Sequence, residues 1–252
     1  MIDVSHLATN GKMIFLACDQ GMEHGPTDFN EKNIDPRYIC EIGVRNGLNA
    51  LIFGRGIAEK YYPEYAARIP LILKLNGHTR YNKPNSWGPQ NCTVAEAKAL
   101  GAAAVGYTIH LGSLNEYQML SQFGTIVREA HEQGLPAMAW IYPRGPEITE
   151  DKSPEMTAYA ARLGLELGAD IVKVYHSGDV GSLRWAGMAA GRTKTVVSGG
   201  DHVDIDQYIA EAKMVAQAGL DGIAVGRNVW QSEDPDAVCA RLKDIFYNGN
   251  LA

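Results

Sequence analysis

Short apolar runs recur along this chain, separated by longer stretches in which apolar and polar positions mix with a helical spacing. Eight of the runs are apolar and often β-branched: residues 13–18, 50–53, 71–75, 104–109, 137–142, 170–175, 195–198 and 222–225. Each has the length of a strand, and each is followed by helix-like sequence, which predicts parallel β/α units. Runs such as Met13-Ile-Phe-Leu-Ala-Cys are apolar at nearly every position, as strands covered on both faces should be. Between the runs, Ser153 and Pro154 read as an N-cap and first helical turn, and the helix they open stops near Gly168. Gly134-Leu-Pro, Gly168-Ala-Asp and Gly219-Leu-Asp read as helix C-caps leading into the next strand. Eight units fill most of 252 residues. The pattern therefore predicts one (β/α)8 TIM barrel over residues 1–252, in preference to a doubly wound open sheet. Residues 76–92 break the rhythm. They are polar and carry Gly77, Pro84, Gly88 and Pro89, which predicts a long loop after the third strand.

A barrel of this kind gathers its chemistry at the C-terminal ends of the strands and in the loops that follow. Those places hold Asp19, Glu23 and His24, then Arg55, Lys74, His110, Tyr142 with Arg144, Lys173, Ser198-Gly-Gly200 and Gly226-Arg227. Lys173 is the most informative of them. It sits inside Asp170-Ile-Val-Lys-Val-Tyr, a run that otherwise reads as a buried strand. Desolvation disfavours an ammonium, so a lysine held there tends toward the neutral amine. A neutral amine attacks carbonyl carbon and forms a Schiff base. The bland alternative is an ion pair near the strand end. Ser198, Gly199 and Gly200 end the seventh strand, and Gly226 and Arg227 end the eighth, where this fold commonly binds phosphate. Glycine lets backbone N–H groups approach an anion, a following helix N-terminus adds a favourable dipole, and Arg227 supplies a charge-assisted bond. Tyr142, ending the fifth strand next to Lys173, is placed to move protons. Asp19 is placed to orient the lysine or accept a proton, and Trp140 reads as a wall of the pocket.

Composition narrows the partners. A formal net charge of −6 argues against nucleic acid or an anionic membrane surface, while leaving room for one small basic pocket. The N-terminus has no long apolar run, so neither signal peptide nor membrane anchor is expected. Cys18, Cys40, Cys92 and Cys239 lie far apart without a CxxC, which suits reduced thiols in a cytoplasmic protein.

Taken in order, the motifs resemble the archaeal-type class I fructose-bisphosphate aldolases, a family of Schiff-base enzymes. The resemblance rests on Asp19-Gln-Gly-Met-Glu-His-Gly-Pro, Arg55-Gly-Ile-Ala-Glu-Lys-Tyr-Tyr, Leu73-Lys-Leu-Asn-Gly and Gly101-Ala-Ala-Ala-Val-Gly-Tyr-Thr-Ile. It continues through Trp140-Ile-Tyr-Pro-Arg-Gly, Ile171-Val-Lys-Val, Val197-Ser-Gly-Gly and Val225-Gly-Arg-Asn-Val-Trp-Gln, across almost the whole chain. It implies a (β/α)8 barrel that cleaves fructose 1,6-bisphosphate reversibly, without a metal or other cofactor. It implies Lys173 as the Schiff-base lysine, Tyr142 as the proton-transferring tyrosine and Asp19 as the acidic residue beside the lysine. Ser198, Gly199, Gly200, Gly226 and Arg227 match the phosphate site, and Trp140 and Arg144 match the strand-five motif. A small sugar-phosphate substrate and a homo-oligomer, commonly a decamer, are implied as partners. Where the family often has a basic residue two positions after the lysine, this chain has Tyr175-His176-Ser177, so His176 or another base must supply any neighbouring charge.

Three other readings compete with this one. Sister Schiff-base enzymes act on other sugar phosphates, as a heptulosonate-forming synthase or a thiolase does. A metal-dependent aldolase would use His24, His78, His110, His176 and His202, yet their spacing gives no recognisable zinc pair. A sugar-phosphate binder without chemistry would not need Lys173, Tyr142 and Asp19 together. Lys74 is the rival nucleophile, with an ion pair to Asp19 or Glu23 as its expected fate.

Overall fold

The computed structural model describes residues 2–82 and 87–251; Pro84 of the predicted loop lies outside them. Eight parallel strands close in sequence order into a barrel, with β8 paired to β1. They are β1 Met13–Ala17, β2 Ala50–Gly54, β3 Leu71–Lys74, β4 Ala104–Leu111, β5 Ala137–Pro143, β6 Ile171–Val174, β7 Lys194–Ser198 and β8 Gly222–Val225. The helices are α1 Gly21–His24, α2 Pro36–Arg45, α3 Arg55–Tyr61, α4 Val94–Ala99, α5 Glu116–Glu132, α6 Pro154–Glu166, α7 Val180–Ala190, α8 Ile205–Gln217, α9 Arg227–Trp230 and α10 Pro235–Tyr247. The barrel is the one the alternation of runs predicts, and all eight strands fall where expected to within two residues.

Two cores explain the continuous apolar runs. One face of each strand packs outward on the helices through residues such as Leu16, Leu51, Val105, Ile141 and Val172. The alternate positions point inward and fill the barrel: Phe15, Ile52, Ile72, Ala104, Met138, Ile171, Val196 and Ala224. Leu7, on the short 3-10 turn Ser5–Leu7, joins this inner cluster. Because side chains alternate with a period of two, the inner positions continue upward to Asp19, Lys74, Thr108, Tyr142 and Lys173. The strand register thus aims these polar groups into the mouth of the barrel.

Local chemistry sets the joints. Ser153 accepts the Met156 N–H and caps α6, with Pro154 in its first turn. Thr93 and Glu96 form a reciprocal capping box on α4. Gly134, Gly168 and Gly219 are all left-handed, as the predicted C-caps require. Asp170 falls just before β6 instead of within it. Its carboxylate accepts from the Ala137 N–H and pairs with His131, so it ties β5, β6 and α5 together from outside the ladder. Among its described residues the loop after β3 folds back on itself. Asn76 bridges to Gln90, and its side-chain amide donates to the carbonyls of Gly88 and Thr108.

Candidate active site

A cavity of about 630 Å³ opens at the C-terminal ends of the strands. Lys173 enters it from β6 and Lys74 from β3, and each is only 6% exposed. Their surroundings differ. Lys74 Nζ lies 2.9 Å from Asp19 Oδ2 and 2.8 Å from Glu23 Oε1. Burial alone would lower this amine, but the two carboxylates overcome it and hold Lys74 well above the ordinary lysine range. Burial would likewise raise Glu23, yet the Lys74 ammonium draws it down to about 2. Lys173 forms no ion pair among the described residues. Its burial, aided by the Lys74 charge and opposed by Asp19 and Glu23, brings it down to about 8.

Asp19 therefore makes its direct ion pair with Lys74. Its influence on Lys173 acts through space. The cation near Lys173 is Lys74. His176 Nδ1 accepts the Gly178 N–H, and burial lowers that imidazole, which leaves it poorly suited to carry the charge.

Tyr142 stands two positions along β5 from Trp140, which is in register with Lys173 across the β5–β6 pair. The Tyr142 ring stacks on Tyr175 with centroids 4.6 Å apart, and the Arg144 guanidinium lies 5.4 Å from the Tyr142 ring centre. Arg144 also donates twice to the Tyr175 hydroxyl, at 3.0 and 2.9 Å. Burial, with the neighbouring Tyr175 and Asp19, pushes the Tyr142 phenol well above its ordinary range, so it rests protonated. The Trp140 ring forms the wall beside the amine, with Lys173 Nζ 5.8 Å from its centre. Gly106 on β4 makes room for that ring, since a Cβ there would collide with it.

Ser198, Gly199, Gly200, Gly226 and Arg227 line one side of the same cavity. Gly226 passes so close to β1 that a Cβ would meet the Ala17 carbonyl oxygen at 2.9 Å. Arg227 donates to the Gly200 carbonyl at 3.1 Å and reaches Asp201 at 3.3 Å. Of the two helices that follow these turns, α9 starts just after Gly226 with no side-chain cap, while the N-terminus of α8 is occupied. Asp204 caps α8 and takes the amides of Asp206 and Gln207, so the glycine turns, Arg227 and the uncapped start of α9 are left to meet an anion. Asn228 joins the two turns: its amide donates to the carbonyls of Gly199 and Asp201 and accepts the Val203 N–H. Sequence reasoning foresaw an ion pair from Lys74 to Asp19 or Glu23, and the structure shows both; it missed Asn228 and Thr108. The sign available was their position within motifs at strand ends.

His24 pairs with Asp28 at 2.6 Å, and His78 packs edge-on against His110 at 5.2 Å. Among the described residues, no group of three His, Cys, Asp or Glu side chains has the geometry to hold a metal ion. Nor is any described helix long and apolar enough to cross a membrane.

Comparison with known proteins places this geometry. A family model described as DeoC/LacD family aldolase matches residues 13–232. A class 1 fructose-bisphosphate aldolase of Thermoproteus tenax is 43% identical over 96% of this chain and 92% of its own length. One from Halobacterium salinarum is 39% identical over 96% and 93%. Among solved structures, an archaeal fructose-1,6-bisphosphate aldolase has its catalytic lysine covalently bound to the carbinolamine intermediate of its substrate. It superposes with a TM-score of 0.91 at 41% identity, covering 98% of this chain and 96% of that one. Another, from work on the reaction intermediates of the Schiff-base-forming aldolase, gives 0.91 at 42% identity over 94% and 95%. The chain belongs to the DeoC/LacD aldolase family.

Proposed function

We propose that this chain is a class I fructose-bisphosphate aldolase, a lyase that cleaves fructose 1,6-bisphosphate through a Schiff base on Lys173. The observation that carries the assignment is a buried strand lysine with no carboxylate partner among the described residues, facing a cavity in which a second buried lysine, Lys74, holds Asp19 and Glu23. With its pKa near 8, about one Lys173 in ten is neutral at pH 7, against about one in 2,500 for a free lysine.

The steps follow from the protonation states. The neutral amine adds to the C2 carbonyl, and proton transfer from nitrogen to oxygen gives a carbinolamine. Tyr142, protonated at rest, gives its proton to the departing hydroxyl. Water leaves, an iminium forms, and Tyr142 becomes a phenolate. The phenolate then takes the C4 hydroxyl proton, the C3–C4 bond breaks, and its electron pair flows into the iminium to form an enamine. Glyceraldehyde 3-phosphate departs. Protonation at C3 and hydrolysis release dihydroxyacetone phosphate and restore the amine. Asp19 and Glu23, held by Lys74, keep negative charge near the cationic iminium. The C1 phosphate is assigned to Ser198, Gly199, Gly200, Gly226 and Arg227, with Asp201 giving up its bond to Arg227. Trp140 and Arg144 shape the opposite wall.

The test is borohydride reduction in the presence of dihydroxyacetone phosphate, followed by peptide mapping. A reduced adduct on Lys173 is expected, with trapping that rises with pH to a midpoint of about 8. An adduct on Lys74, or none, overturns the assignment. We further propose a cytoplasmic homo-oligomer. Four buried unpaired cysteines suit a reducing compartment, and Tyr159 on α6 with Trp185 and Met188 on α7 are large apolar side chains left exposed.

A further inference from the structure

Four residues lining the cavity carry a buried polar atom with no hydrogen-bond partner among the described residues: Gln20 Nε2, Thr108 Oγ1, Trp140 Nε1 and His176 Nε2. Thr108 is 4% exposed and Trp140 is 1% exposed, so bulk water does not serve them freely. Buried polar groups are almost always paired, because leaving one unpaired costs stability. Two of the four, Thr108 and Trp140, stand at neighbouring inward positions on the strands themselves. Thr108 on β4 is in register with Trp140 on β5, and Trp140 with Lys173 on β6. The backbone of Thr108 is itself fixed, since Asn76 accepts its N–H at 2.8 Å and donates to its carbonyl at 2.9 Å. The residue's backbone is therefore held in place while its hydroxyl is left without a hydrogen bond.

Direction around the barrel says what these atoms meet. On the reading above, the amine on β6 bonds C2, and the C1 phosphate lies on the β7 and β8 side. The rest of the substrate then runs the other way, over β5 and β4. The first polar group along that path is the hydroxyl on C3. A hydroxyl both donates and accepts. Trp140 Nε1 is a donor only, and a threonine oxygen can accept. Neighbouring strands lie about 4.8 Å apart, which one short polyol segment spans.

We propose that Thr108, with the Trp140 N–H, recognises the hydroxyl on the carbon next to the Schiff base, making Thr108 a specificity-determining residue of this aldolase. The inference rests on the Schiff-base reading and extends it. A purely structural threonine would be satisfied within the protein. This one is satisfied by substrate.

The experiment compares two ketone phosphates that share C1 and C2: dihydroxyacetone phosphate, and hydroxyacetone phosphate, which lacks the hydroxyl. Borohydride trapping on Lys173 is followed for each, in the unchanged chain, Thr108→Val and Thr108→Ser. The unchanged chain and T108S should favour dihydroxyacetone phosphate by about tenfold or more, and T108V should lose about tenfold of that preference. Trapping of hydroxyacetone phosphate should be similar in all three. Thermal unfolding separates recognition from folding, because removing an unpaired buried hydroxyl should leave T108V at least as stable as the unchanged chain. An undiminished preference in T108V, or an equal loss with both ketones, overturns the role of Thr108. Failure of the unchanged chain to form any Lys173 adduct overturns the aldolase reading itself, and this inference with it.

Discussion

The β3 and β6 sides of the barrel mouth present the same residue in the same place and give it opposite chemistry. Lys74 and Lys173 both project inward, and both are 6% exposed. Burial presses each amine toward neutrality. On the β3 side two carboxylates within 3 Å reverse that pressure, and Lys74 is a fixed cation. On the β6 side no carboxylate among the described residues is in contact, the nearby cation adds to the pressure, and Lys173 falls to about 8. Depth alone therefore does not make a nucleophile. What matters is which of two buried lysines is given the counter-ions.

The largest expected effect comes from removing the lysine that lacks them. Lys173→Met should abolish the borohydride adduct and lower turnover on the order of 10⁴-fold or more, read by peptide mapping and cleavage rate. If trapping persisted on Lys74, the comparison would be inverted. The same variant should unfold at higher temperature at pH 7. A lysine depressed to about 8 binds fewer protons folded than unfolded between that value and the ordinary ~10.4. Its contribution is intact above that window and is lost as pH falls through about 8, leaving a burden of about 3 kcal/mol at neutral pH.

Tyr142→Phe comes next. It should cost roughly 10²–10⁴-fold in turnover while leaving binding of inorganic phosphate, measured by calorimetry, unchanged. Turnover within a few-fold of normal would move the proton-transfer role to another group. The smallest effect sharpens the comparison most. Lys74→Met frees Asp19 and Glu23 to act on Lys173, so the midpoint for trapping should rise by about one pH unit. That is about tenfold slower trapping at pH 7, recovered by raising pH. Lys74→Arg retains the charge and should hold the midpoint near its normal place. An unmoved midpoint in Lys74→Met would mean that burial alone sets the Lys173 amine.

Much of this was legible in the chain because it follows short repeats. Strands that pack on both faces write themselves as unbroken apolar runs, and an inward lysine in such a run stands out. The glycines at the ends of β7 and β8 and the caps at Ser153, Gly134 and Gly219 are equally local. Other features depend on contacts between distant segments, which no periodicity records. The ion pair of Lys74 is expected to reach Asp19 or Glu23, and the fold gives it both; nothing in the order of residues says that Asp170 would leave β6 to pair with His131, or that β4 would run on to Leu111. The last occurs because His110 and Leu111 stay in register with Tyr142 and Pro143. The capping of α8 at the β7 turn is hidden for a similar reason: Asp204 lies six residues past Ser198 and folds back onto amides of α8, while α9 at the β8 turn has no side-chain cap.

Asn228 carries a consequence for how an anion is met. Its one side chain holds Gly199, Asp201 and Val203 in fixed relation to the turn that carries Arg227. Glycine-rich turns have the most conformational freedom to lose. Here that entropy is surrendered when the chain folds, before any ligand arrives. A phosphate entering the mouth meets a shape already formed, and more of its interaction energy is retained as affinity.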